Sequence, residues 1–179
     1  GSGVVRRLVA EGHTVVAFDN NSRGSRANLA DLIDRLTFIE GDIRNKDALA
    51  DAAQGCDALF HLAFVNGTRF FYEKPQLVLD VGDKGALNTL EVALEKNIGT
   101  YVLASSSEIY QQPTHIPTTE SERAIIPDVQ TPRYSYAGGK LISELLAINY
   151  LRNSTVRCVI FRPHNVFGPA MGFEHVIPE

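Results

Sequence analysis

The chain has 179 residues, 44% of them hydrophobic and 21% charged, the balance of a soluble globular protein with one domain-sized core. Its formal net charge of -4 gives no basic field for nucleic acid or an anionic membrane, and no apolar run reaches the roughly 20 residues of a membrane span. Cys56 and Cys158 lie far apart, each beside an expected buried strand, which favours reduced core thiols over a disulfide or a metal site and makes the cytoplasm the default location.

In chain order the first residues read as a helix, with Val4, Val5, Leu8 and Val9 on one apolar face and "EGH" as its stop. "TVVAFD" is a short valine-rich run ending in an acid, which suits a buried parallel strand. A polar loop, "NNSRGSRAN", follows, and then strands and helices alternate. They are "LTFIEGD" (strand), "NKDALADAAQ" (helix), "DALFHLA" (strand), a long helix from about Gln76 to Lys96, "TYVLASSS" (strand), a helix after Tyr136, and "TVRCVIFRP" (strand). This alternation implies crossover connections and a parallel, doubly wound α/β sheet with helices on both faces. In such a sheet ligands sit outside the carboxyl ends of the strands. Those ends carry Asp19, Asp42, the stretch His61 to Phe64, Ser105 to Tyr110, and "RPHNVFGP" from Arg162 to Pro169. His61, His164 and His175 lack metal-ligand spacing, so no metal is expected, and His164 alone is placed near a substrate.

The stretch "YSYAGGK", Tyr134 to Lys140, opens the helix that continues as "LISELLAINYL". Residues at i and i+4 share a helical face, so Tyr136, not Tyr134, stands beside Lys140. Gly138 and Gly139 each weaken a helix interior by roughly 0.8 to 1 kcal/mol relative to alanine, which points to a close approach on that face. Asp19, at the end of the second strand expected of a dinucleotide fold, has the place of the acid that binds the adenosine ribose and disfavours the phosphate of NADP.

Taken together, Gly1 followed by "VVRRLVAEGH", then "VVAFDNNSRG", "GDI", "LFHLA", "GALNTLEVA", "SSSEIY", "YAGGK" and "FRPHNVFGP" resemble the NAD-dependent epimerase/dehydratase family, the extended short-chain dehydrogenases that modify nucleotide sugars. The resemblance spans the chain in order. It implies a Rossmann-like NAD-binding domain over residues 1–168, the start of a smaller nucleotide-sugar-binding region at 169–179, a nucleotide-sugar substrate and a homodimer built on the helices at 76–96 and 136–151. The opening "GSG" reads by itself as either an appended remnant or the end of a glycine-rich turn. The resemblance makes Gly1 the last glycine of a GxxGxxG turn, with the first strand ahead of it, roughly 25 or fewer residues in front and about 100 or more behind.

The same resemblance implies roles. Tyr136 is the catalytic tyrosine, Lys140 the lysine that favours its phenolate and bonds the nicotinamide ribose, and Ser106 the hydroxyl that orients the substrate, with Ser105 and Ser107 as rivals. Glu108 stands where dehydratases and decarboxylases of the family carry a glutamate base, and Gln111 replaces the glycine usual after Tyr110. Cofactor contacts are implied for Gly1, Asp19, Asn20, Asp42, Ile43, Leu62, Ala63, Phe64, Ser105, Tyr136 and Lys140, and substrate contacts for Ser107 and Asn165. Phe64 stands where an alanine is usual. The retained tyrosine and lysine disfavour a non-catalytic NAD-binding regulator, and Asp19 disfavours an NADP-dependent reductase. The reaction expected is transient oxidation at C4 in a 4-epimerase, with a 4,6-dehydratase or UDP-glucuronate decarboxylase using Glu108 as the alternative.

Overall fold

The computed structural model describes residues 1–168; the region expected at 169–179 and His175 lie outside the described residues. Five short strands, all parallel, make two sheets. β1 (Val16–Asp19) pairs with β2 (Thr37–Glu40), and β3 (Ala58–His61), β4 (Thr100–Ala104) and β5 (Arg157–Phe161) pair in that order. Their registers run Val16 with Thr37, Ala58 with Thr100 and Thr100 with Arg157. Parallel pairing throughout agrees with the α/β class expected from the alternation of strands and helices. Among the described residues no ladder joins β1 to β3.

Each of the strands β1 to β4 is followed by a helical crossover to the next. α1 (Ser2–Ala10) precedes β1, and α2 (Lys46–Ala52) begins where the Asn45 side chain accepts a hydrogen bond from the Ala48 N–H at 3.2 Å. The loop expected after β1 instead tightens into a 3₁₀ segment, Arg26–Arg35, capped by Ser25 and anchored by the buried Leu29. The expected long helix is a continuous helical run from α4 (Pro75–Leu79) to α5 (Gly85–Glu95), interrupted by a π turn at Asp80–Lys84. A short α3 (Thr68–Glu73) precedes it, and α6 (Ser135–Leu151) carries the Tyr136 stretch.

Two apolar clusters hold these layers together. In the larger, Leu49 and Ala53 meet Leu90 and Ala93 of α5, Tyr101 and Leu103 of β4, and Ala147 and Leu151 of α6. A fully buried leucine such as Leu90 contributes roughly 1.5 to 3 kcal/mol. The smaller cluster joins Ile43, Val65, Phe71, Val78, Val81 and Tyr136, and Phe18 packs against both. Placing a phenol inside this second cluster is what makes the site chemically unusual.

Candidate active site

The opening turn of α6 puts Tyr136 and Lys140 on one face, with the Lys140 Nζ 5.8 Å from the centre of the Tyr136 ring. Both side chains are buried, at 9% and 2% exposure. Lys140 donates to the Ala104 carbonyl at the end of β4 at 2.6 Å and lies 4.0 Å from the centre of the Phe64 ring. Burial lowers its pKa to about 7. Tyr136 stacks on Phe71 at 4.9 Å and meets Phe64 edge-on at 5.2 Å. Burial raises its pKa; a hydrogen bond from Ser106 opposes the rise, and the charge of Glu108 adds to it. The phenol and the amine are therefore each driven toward the neutral form in the chain alone, and proximity to Lys140 does not offset the burial of the phenol.

This has a measurable consequence. An unfolded lysine has a pKa near 10.5, well above the folded value of about 7, so between those values the unfolded chain binds more protons. The folding penalty is then absent above about pH 10.5 and complete below about pH 7, and stability rises with pH across the window. A Lys140→Met variant of the NAD-free protein is expected to lose that rise and to exceed the wild type most at pH 7, as read from urea unfolding midpoints at pH 7, 8 and 9. Parallel midpoints for the two proteins across the series would refute the assignment.

The glycine pair on this helix is more closely accommodated than an open face would require. A Cβ on Gly139 would lie 2.9 Å from the tip of the Phe64 ring and 3.6 Å from Asp83, and one on Gly82 in the π turn would overlap the same ring. Gly138 meets only Ile126, at 3.9 Å. Gly139 and Gly82 together thus form the seat of Phe64, whose face then covers the Lys140 ammonium.

Ser106 and Glu108 follow β4. Ser106 caps the 3₁₀ turn Ser107–Tyr110 by accepting from the Glu108 N–H at 3.2 Å, and it is the serine of the three close enough to Tyr136 to lower its pKa. The Glu108 carboxylate is held by Arg133, from a 3₁₀ turn just ahead of α6, whose Nη2 donates to both oxygens at 2.9 and 3.0 Å. Arg133 also lies over the Phe71 ring at 5.2 Å. Ser107 pairs with His164 Nδ1 at 3.3 Å, and Asn165 is exposed on the same loop. Ser105 is buried, with its hydroxyl close enough to Glu144 of α6 to lower that carboxyl's pKa.

A second polar network ties α6 to β5. Arg162 forms a two-pronged pair with Glu144 at 2.9 and 2.7 Å and donates to the Tyr110 hydroxyl at 2.6 Å. Glu144 is one turn beyond Lys140, and its side chain is 5% exposed. Burial pushes its pKa up, the Arg162 guanidinium and the Ser105 hydroxyl together more than offset this, and the group rests below its ordinary value. Sequence reading missed Arg133, Glu144 and Arg162; the signals present were Glu144 at i+4 from Lys140 and an arginine three residues before Tyr136.

The other expected cofactor contacts gather at the ends of β1 and β2. Asp19 is exposed and accepts the Asn21 N–H at 2.8 Å. Asn20 donates to Asp42 at 3.3 Å, and Arg44 clamps Asp42, whose pKa falls to about 2 chiefly through that bond. Ile43 is buried in the second cluster and packs onto Gly85. Leu62 is half-buried after β3, Ala63 and Gly1 are exposed, and His61 is buried beneath Tyr101 with its pKa lowered to about 3 by burial. That keeps His61 neutral, in line with its structural role. Among the described residues no cluster of His, Cys, Asp and Glu suits a metal ion, and no helix is long and apolar enough to cross a membrane.

The chain resembles a probable UDP-glucuronate 4-epimerase of Rhizobium meliloti (strain 1021) at 32% identity, over 94% of the chain and 51% of that protein. It resembles the UDP-N-acetyl-alpha-D-glucosaminuronate decarboxylase of Bacillus cytotoxicus at 29%, over 94% and 52%. Among solved structures it superposes on a dTDP-glucose 4,6-dehydratase double mutant from Streptomyces venezuelae with NAD bound, with a TM-score of 0.88, 29% identity and coverage of 99% of this chain and 56% of the other. A UDP-galactose 4-epimerase gives 0.84, 30%, 96% and 54%. The chain spans about half the length of the curated relatives it matches. The model of the NAD dependent epimerase/dehydratase family matches residues 1–179, and with the parallel α/β fold and the buried Tyr136 and Lys140 at its strand ends, the chain belongs to that family.

Proposed function

We propose that the protein is an NAD-dependent enzyme that transiently oxidises a hydroxyl, at C4, of a nucleotide sugar and acts as a 4-epimerase. The observation that carries this is the burial of Tyr136 and Lys140 on one helix face beside Ser106 and Glu108, at the end of β4. The residues fit a dinucleotide. Asp19 presents a carboxylate at the strand end suited to ribose hydroxyls, and Lys140 commits one of its three N–H donors to Ala104 and keeps the others for a ligand. When bound, NAD supplies the hydride acceptor and a positive ring charge. Tyr136 accepts the proton of the sugar hydroxyl at its phenolic oxygen, Ser106 holds that hydroxyl in line, and Lys140 in its ammonium form stabilises the phenolate. Because burial alone raises the phenol, added positive charge beside it is what makes it a base.

Glu108 favours a second reading, in which loss of water from C6 or of a C6 carboxyl group follows oxidation. Its carboxylate sits beside the phenol and is held by Arg133. Incubating the full-length protein with a panel of nucleotide sugars separates the readings by mass spectrometry and NMR. Unchanged mass with altered stereochemistry marks an epimerase, loss of water a dehydratase, and loss of carbon dioxide a decarboxylase; no product from any of them rejects the assignment. Replacing Glu108 by Gln is expected to abolish elimination and leave epimerisation within a few-fold of wild type; equal loss of both would remove Glu108 from the role of base. Self-association through α6 is part of the same reading, since Ile142, Leu145 and Ile148 leave an exposed apolar stripe there, Leu145 at 54%. Light scattering of the full-length protein is expected to give twice the protomer mass, and a monomer would contradict it.

A further inference from the structure

The Arg133 guanidinium is held on two sides and left incomplete on a third. Nη2 is used by Glu108, and the plane lies over Phe71, the ring on which Tyr136 stacks. The other amino nitrogen, Nη1, is buried and has no hydrogen-bond partner among the described residues. A buried donor left unmade costs roughly 1 to 3 kcal/mol, more when charged, so its retention next to Glu108 asks for an acceptor that arrives with the substrate. A guanidinium is matched in shape and charge to a carboxylate, whereas a hydroxymethyl group is a weaker, neutral acceptor. Glu108 sharpens the choice. A substrate carboxylate entering beside Glu108 would meet like charge, and the guanidinium between them removes that repulsion while leaving Glu108 in place.

We propose that Arg133 is the residue that selects the sugar, receiving a carboxylate through Nη1, so that the substrates are nucleoside diphosphate uronates and not neutral hexoses. This rests on the nucleotide-sugar reading above and is independent of whether the reaction ends in epimerisation or decarboxylation. The test compares kcat/KM of the full-length protein for UDP-glucuronate and UDP-glucose, and their Kd by calorimetry, in wild type, Arg133→Gln and Arg133→Lys. Wild type is expected to favour the uronate. Arg133→Gln is expected to lower kcat/KM for it on the order of 100-fold, chiefly through KM, the size expected when one partner of a buried charge pair is truncated, with neutral-sugar binding and NAD content unchanged. Arg133→Lys restores part of the loss. Because Arg133 also holds Glu108, the pair is repeated in a Glu108→Gln background and read by Kd alone; the uronate penalty persists there. Equal losses for both sugars, or disappearance of the penalty once Glu108 is neutral, would overturn the proposal and leave Arg133 as a support for Glu108. Binding of neither sugar would reject the nucleotide-sugar reading itself, whereas conversion of UDP-glucose without preference for the uronate would sink only the assignment of Arg133.

Discussion

A Tyr136→Phe variant of the full-length protein is expected to turn over nucleotide sugar about 1,000-fold more slowly than wild type, within the range a positioned acid-base group supplies, while keeping its fold and its NAD. The reason lies in where the ring sits. Phe71 stacks on the ring of Tyr136 and Phe64 meets it edge-on, so phenylalanine preserves the ring packing in the second cluster. What is lost is the oxygen beside Ser106, the only group in that cluster able to accept a proton. Steady-state rates, circular dichroism and release of bound NAD measured together decide the matter. An undiminished rate would exclude Tyr136 as the base, and a proportional loss of fold or NAD would move its role from chemistry to structure.

The second large effect concerns stability. Glu144→Ala is expected to lower the unfolding free energy of the full-length protein by about 3 kcal/mol, because removal of one member of a buried pair strands the other. Arg162 would then keep its contacts with the Tyr110 hydroxyl and the Glu120 carbonyl but lose the countercharge. The pair also spans α6 and the end of β5, so the loss should be felt at the site as poorer alignment of Tyr136 and Lys140, with kcat falling more than KM rises. A Glu144→Ala, Arg162→Met double variant is expected to recover part of the stability, since no unpaired charge remains. Urea midpoints measure this, and a single variant within 0.5 kcal/mol of wild type, roughly the scatter of surface substitutions, would show that the pair is not structurally important.

How much of the molecule is legible in its sequence depends on the range of each interaction. The strands at Val16–Asp19 and Thr100–Ala104 and the helix at Ser135–Leu151 are visible because apolar spacing is a local property of the chain. The Tyr136 and Lys140 pairing is equally local, being one helical turn. Arg133 on Glu108 spans 25 positions and Arg162 on Glu144 spans 18; no periodicity encodes either. The purpose of Gly139 is legible only in part. Its closeness to something bulky can be inferred, but the bulky group is Phe64, a residue of the same chain and from a different strand end. Likewise the burial of the Ile43 side chain in the cluster with Val78 and Val81 depends on contacts more than 30 positions away, which no local spacing reveals. The burial that raises the Tyr136 phenol in the chain alone is also invisible to spacing, which reveals only the lysine one turn away.

The π turn at Asp80–Lys84 accommodates an extra residue within an otherwise regular helical run, and this sets the phase between the segments on its two sides. Dropping a single residue there would restore ordinary winding and leave α4 and α5 close to their present phase, because the wide turn already absorbs the extra residue; Leu90 and Ala93 would keep the face they share with β4 and α6, and what would change is the backbone around Gly82. The constraint therefore falls on this one turn and on its bare glycine, which leaves the Phe64 ring its place, while the helical segments on either side stay in step.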